Sequence, residues 1–311
     1  MRVLLVHPGD GPGQQDVYAG VAAGLQANGV DVVRCRPEMA LDTAATHPVD
    51  VIVVVSARSV SLVGKLKGVG RPLAALLTET PYEHDRELQV AMLCDLSWTN
   101  ERSAAASFPR TSYLPHGWHP LRHHTTPLGD DEDAPAHDVV FVGAGFPERC
   151  AFFNAIDWSG INLGLYGIWQ GFGLSPALEA RCHEGEIENA YAAALYRRAK
   201  IGLNLYRART WDRVAVSAES LNPRAYELAA CGTFTISEYR SEVEDVFGRF
   251  VPTFRTPHEA EALIRRWLAE DEGRLLLAAA LPSCVERASW VDRAGQMLVG
   301  LRALIDRTVA A

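Results

Sequence analysis

The run VDVIVVVS at residues 49–56 sets Val51, Ile52, Val53, Val54 and Val55 side by side with no polar residue between them. A strand with one wet face alternates apolar and polar residues. An unbroken β-branched run is instead buried on both faces, as in a parallel sheet covered by helices. Working outward, similar short runs recur at 2–7 (RVLLVH), 30–35 (VDVVRC), 72–78 (PLAALLT) and 96–99 (LSWT). Between them, residues 15–28, 59–67 and 85–94 carry helical patterns, the first closed by Asn28-Gly29. Strand and helix alternate throughout, which predicts an α/β lobe of Rossmann-like type.

The pattern then pauses and restarts. Residues 123–137 hold Pro127, Gly129, Pro135 and the acidic run Asp130-Asp131-Glu132-Asp133, a linker composition. After it come DVVFV at 138–142, the turn Gly143-Ala144-Gly145, a helix from Pro147, a strand at 161–166, a helix at 187–200, strands at 201–206 and 233–237, and helices over most of 257–280 and 284–306. A chain of 311 residues suits two such lobes. The expected division is 1–122, an acidic linker 123–137, a second lobe 138–285 and a closing helix 286–311. Open parallel sheets bind ligands beyond the carboxyl ends of their strands, so two Rossmann-like lobes are expected to face across a cleft lined by strand-to-helix loops.

Bulk composition narrows the classes. Hydrophobic content of 48% with 22% charged residues is that of a packed globular chain. A net charge of −8 gives no global attraction to nucleic acid or anionic membrane. The six cysteines are scattered without metal spacing, so reduced thiols are expected, and no run approaches the ~20 apolar residues of a membrane helix. A cytoplasmic protein without membrane insertion follows from this reading.

The chemistry concentrates in SAESLNPRAYELAACG, residues 217–232. Asn222 suits a helix cap, Pro223 the first helical position and Gly232 the left-handed residue that stops a helix, which predicts a short helix over 223–231. Its free N–H groups and dipole, with Arg224 beside them, form a site for a phosphate or diphosphate. Glu227, one turn inside, can accept from sugar or ribose hydroxyls, while Glu219 lies in the approach loop. Residues 197–224 hold seven basic residues against two acidic ones, so positive charge gathers there in an acidic chain.

Other loops offer weaker signals. The turns at Gly9, Gly11 and Gly13 and at Gly143 and Gly145 each lack the third glycine of a dinucleotide fingerprint. The first keeps an NADP-dependent reductase open as an alternative, with Arg34 and Arg36 for the extra phosphate. In TETPYEH, residues 78–84, a general base could be Glu79, Glu83 or His84, or Glu83 and His84 could simply begin a helix. His116 and His119 stand three apart without a third ligand nearby, so hydrogen bonding is expected of them rather than metal.

TETPYE (78–83), YLPHGWHP (113–120), DVVFVGAGFPER (138–149), NLYR (204–207) and ESLNPRAYELAACGTF (219–234) together resemble the CgeB-like spore-maturation glycosyltransferases, and more broadly the retaining GT-B glycosyltransferases. The resemblance implies a GT-B fold and a nucleotide-diphosphate sugar as donor, with no cofactor or metal. It places Glu227 near the nucleotide ribose, Glu219 near the donor sugar, and Asn222, Pro223 and Arg224 near the diphosphate. Gly143, Gly145, Arg149, Tyr206 and Arg207 would complete the donor site. Glu219, Arg224, Glu79 and His84 become the catalytic candidates, and Gly11, Gly13, Tyr82 and His116 the acceptor side. SWVDRAGQMLVGL (289–301) resembles the family's last helix, which crosses back to the first lobe. Two departures stand out: the usual Arg and Lys pair is not cleanly present, and Ser-Leu-Asn replaces Pro-Phe-Gly after Glu219. A non-catalytic sugar-nucleotide binder on the same fold is the competing class, and the acceptor hydroxyl could belong to a protein, a glycan or a modified DNA base.

Overall fold

A computed structural model describes residues 1–7, 9, 12–207 and 218–309. The chain forms two compact units, the first made of Met1–Gly117, Arg209–Ser220 and Arg287–Ala311, the second of Trp118–Ala208 and Leu221–Glu286.

Among the described residues, the first unit holds a parallel sheet of β1 (Arg2–Val6), β2 (Asp31–Cys35), β3 (Val51–Val55), β4 (Leu73–Leu77), β5 (Leu96–Thr99) and β6 (Thr111–Tyr113), in the order β2-β1-β3-β4-β5-β6. The unbroken apolar runs have the cause read from them. Val51, Val53 and Val55 pack into the layer formed with helices Pro12–Ala27 and Trp290–Val309, whereas Ile52 and Val54 pack into the opposite layer with helix Val60–Lys67. Helices Pro12–Ala27 and Trp290–Val309 approach closely because Gly20 and Gly24 leave room for Trp290.

The second unit repeats the plan with β7 (Val139–Val142), β8 (Leu163–Gly167), β9 (Cys182–Glu184), β10 (Ile201–Asn204), β11 (Thr235–Glu238) and β12 (Thr253–Phe254), ordered β9-β8-β7-β10-β11-β12 and all parallel. This is the dinucleotide-fold order, which reverses direction between β7 and β10. Helix Pro223–Ala230 seats close to the sheet because Gly202 leaves space for Leu228. The fold expected from the apolar runs is therefore present: two parallel sheets, each wrapped by helices.

Three strands escape a reading of apolar runs: β6, β9 and β12. Each is an edge strand of two or three residues, so it needs no continuous apolar run. The stretch with linker composition is also more ordered than expected. It carries a helical turn at Gly129–Asp133, and Asp131 makes a buried ion pair with Arg197 inside the second unit. Among the described residues, no helix is long and apolar enough to cross a membrane.

Candidate active site

In the second unit the switch point lies between the loops that follow β7 and β10, and the predicted donor residues meet there. Gly143 has φ +155°, and a Cβ on it would stand 2.5 Å from Arg224 Nη2 and 3.3 Å from Arg149 Nη1. Both guanidiniums donate to the Leu205 carbonyl, at 3.3 Å from Arg149 and 3.4 Å from Arg224, and Arg149 also donates to the Ala144 carbonyl at 2.9 Å. Both lie over the Phe141 ring, and Arg149 and Arg207 lie over that of Phe146. Two like charges are thus held together by carbonyls and ring faces, an arrangement that favours an anion between them.

The helix that begins beside them forms as its sequence dictates. Asn222 accepts from the Ala225 N–H at 3.1 Å and donates to the Leu205 carbonyl at 3.2 Å, and Pro223 opens the helix. Gly232 has φ +69° just past its end. Glu227 is half-buried, and burial pushes its carboxyl above the usual range against the pull of Arg224 and a hydrogen bond from Asn189 Nδ2 at 3.4 Å.

Two donor candidates are placed differently. Gly145 faces Trp169, whose side chain a Cβ would meet at 2.6 Å, so its smallness serves packing. Tyr206 is buried, with its hydroxyl beside Ser237 and its N–H on Glu238.

The first unit gathers its candidates at the carboxyl ends of β4 and β5. Glu87 accepts from the N–H groups of Thr78 and Glu79, both at 2.9 Å, and from the Thr80 hydroxyl. Burial pushes Glu87 up to about 7. Asn100 donates to the Thr80 carbonyl and to the Ser220 hydroxyl, and the fully buried Glu101 accepts from the N–H groups of Glu219 and Ser220. Glu219 itself is exposed, presented by a backbone that Glu101 grips. Glu79 and Tyr82 are half-buried in this loop, while His84 is exposed at the start of helix His84–Leu93 with its ring edge on Phe108. Glu87 and Glu101 carry no motif, because a carboxylate that grips backbone is recognisable only once the loops have met.

The strand order of this unit reverses between β1 and β3, and a pocket of about 190 Å³ opens there, lined in part by His7, Gly9, Val54, Arg58 and Leu62. Gly13 stands in the first turn of helix Pro12–Ala27; Gly11 lies outside the described residues, as do Arg209 and Arg213. The acceptor-side candidate His116 lies away from these loops. It is buried against Trp290, its carbonyl accepts from Arg293 Nε, and burial followed by the Arg293 charge pushes its imidazole down to about 4.

Burial likewise pushes His119 down to about 4 and His123 to about 3. The unfolded chain protonates these imidazoles below about pH 6.5, whereas the native chain resists until near 4 or 3. Stability contributed by the three neutral rings is therefore present above pH 6.5 and is lost as pH falls toward 4. Glu87 and Glu227, raised by burial, act in the opposite sense over part of that window. The three histidines are expected to dominate, so thermal melts should show Tm falling from pH 6.5 to 4.5. A Tm that rises on acidification would refute this assignment.

Comparison with known proteins follows the same geometry. Residues 149–299 match the family model described as glycosyl transferase-like. No curated protein matches the chain. Among solved structures, HepE of Anabaena in complex with UDP-glucose superposes with a TM-score of 0.68 at 11% identity, covering 97% of this chain and 100% of that one. A trehalose-6-phosphate synthase, studied for glycosyl transfer with retention, gives 0.67 at 11% identity over 97% and 99% of the two chains. Sucrose-phosphate synthase from Thermosynechococcus elongatus gives 0.66 at 14% identity over 98% and 99%. Residues 149–299 thus resemble a glycosyl transferase-like family, and the two sheets share the GT-B fold of these solved structures.

Proposed function

We propose that the chain moves a sugar from a nucleotide-diphosphate sugar to an acceptor hydroxyl, with retention at the anomeric carbon and with no metal required. The observation that carries this reading is the meeting of Arg149 and Arg224 at Gly143, beside the start of the helix that bears Glu227. The bond between anomeric carbon and diphosphate oxygen breaks toward an oxocarbenium-like state, and negative charge grows on the departing diphosphate. Two guanidiniums and the positive end of helix Pro223–Ala230 stabilise that charge, which is the countercharge a metal would otherwise supply. Asn222 shapes the turn, Arg207 extends the positive wall and Glu227 accepts from the ribose hydroxyls.

In a retaining transfer the acceptor enters on the face that the diphosphate leaves, and the departing phosphate oxygen takes its proton. Glu219 then lies near the donor sugar, and loops of the first unit select the acceptor. Its hydroxyl belongs to a protein, a glycan or a modified DNA base, the last disfavoured by a net charge of −8.

Thermal shift against a panel of nucleotide-diphosphate sugars tests the reading. A true donor at 100 times its Kd adds about 2.7 kcal/mol of stability. Gly143→Ala, which thrusts a methyl group against Arg224, should abolish that gain, and product from the selected donor should keep the anomeric configuration. A wild-type protein stabilised by no such sugar would sink the proposal, and tight binding with no turnover would make it a binder.

A further inference from the structure

Helix Arg102–Ser107 begins at Glu101, yet the Glu101 side chain makes no cap bond to that helix. Its carboxylate is fully buried and is turned instead to a segment 118 residues further along the chain, all within the first unit. Oε1 accepts from the Glu219 N–H at 3.1 Å, and Oε2 accepts from the N–H groups of Glu219 and Ser220, both at 3.3 Å. The support is itself braced, since the Glu101 N–H donates to the Thr99 hydroxyl at 3.3 Å and Asn100 donates to the Ser220 hydroxyl at 3.0 Å. Peptide groups are planar, so each residue has only two soft backbone dihedrals. The Glu219 N–H belongs to the plane before its Cα and the Ser220 N–H to the plane after it. Holding both planes fixes φ and ψ of Glu219, and with them the direction of its Cβ. The Glu219 side chain is exposed, so its aim comes from this backbone rather than from packing. A carboxylate suits the task because it only accepts, whereas an amide would turn an NH2 group toward one of the two N–H donors.

We propose that Glu101 is a positioning residue that fixes the direction of Glu219 during transfer by holding the peptide groups on both sides of its Cα. The inference rests on the reading of Glu219 near the donor sugar and adds to it the group that aims that carboxylate. Glu101 is sealed from solvent, so it acts only through the residues it holds. A reacting group misplaced by about 1 Å can slow a reaction by about 10²-fold, so loss of the grip should appear in turnover. The guanidiniums of Arg149 and Arg224 take no part in this network, so diphosphate binding should be untouched.

The test uses the full chain and follows release of nucleoside diphosphate from UDP-glucose, or from whichever sugar the thermal-shift panel selects, in wild type, Glu101→Gln, Glu219→Gln and the double variant. Affinity for the released nucleoside diphosphate is measured calorimetrically alongside. Glu101→Gln, which keeps the volume and removes one acceptor, should lower kcat by about 10–10²-fold and leave that affinity unchanged. In the Glu219→Gln background the same change should add no further loss, because Glu101 then has no carboxylate left to aim. Glu101→Asp, acceptor-only but one methylene shorter, should show a loss of the same kind and carries the comparison if Glu101→Gln does not fold. A wild-type rate in Glu101→Gln would overturn the inference. So would an equal loss in both backgrounds or a parallel loss of nucleoside diphosphate affinity, either of which marks a merely structural role. Full turnover in Glu219→Gln would remove Glu219 from the reaction and the inference with it, leaving the donor site intact. Wild type that neither binds a nucleoside diphosphate nor releases one from any sugar of the panel would overturn the donor reading as well.

Discussion

Arg224→Ala should lower the rate of glycosyl transfer by about 10²–10³-fold, the cost of removing one preorganised group from a site of developing charge. The side chain is half-buried over Phe141, its Nη1 donates to the Leu205 carbonyl, and its Nη2 stands at the open side of Gly143. It is therefore held in place before any ligand arrives, so little reorganisation accompanies reaction. Lysine should recover only part of the loss, because an ammonium cannot both donate to the carbonyl and present a second planar N–H to phosphate. The loss should fall on turnover more than on donor KM, since the charge to be stabilised grows as the bond breaks. Steady-state kinetics with the selected donor check this. A variant with turnover within threefold of wild type would remove Arg224 from the chemistry.

The largest stability effect is expected from the pair Asp131–Arg197. Both side chains are nearly sealed from solvent, at 5% and 4% exposure. Arg197 donates through Nε and Nη2 to the carboxylate, and through Nη1 to the carbonyls of Arg122 and His124 at 2.8 and 3.2 Å. Removing one partner leaves a buried charge without its counterion, at a cost of about 3–5 kcal/mol. Asp131→Ala should therefore shift the urea midpoint strongly. Asp131→Leu combined with Arg197→Met should recover much of the loss, because no orphaned charge remains. The Arg197 hydrogen bonds hold the Asp131 carboxyl below the usual carboxylate range. Its contribution is thus present above the unfolded pKa and is lost as pH falls through the folded one. A midpoint unchanged in Asp131→Ala would show that the acidic segment is not anchored by this pair.

Much of the molecule was legible before folding. Unbroken valine and leucine runs can be satisfied only by burial on both faces, so they determined two parallel sheets with helices between the strands. Asn222, Pro223 and Gly232 act through their own backbone preferences, so the helix start, its cap and its left-handed stop were readable locally. Tertiary structure decided the rest. The edge strands β6, β9 and β12 exist because a neighbour offers hydrogen bonds, not because of their composition. The grip of Glu101 on the N–H groups of Glu219 and Ser220, the packing of His116 on Trp290 and of Gly145 on Trp169, and the hydrogen bond from Asn189 to Glu227 join residues far apart in the chain. Local preference acts over a few residues and is written in order along the sequence. The partner of a buried charge or imidazole is whatever group folding brings within about 3 Å, and no spacing along the chain encodes it.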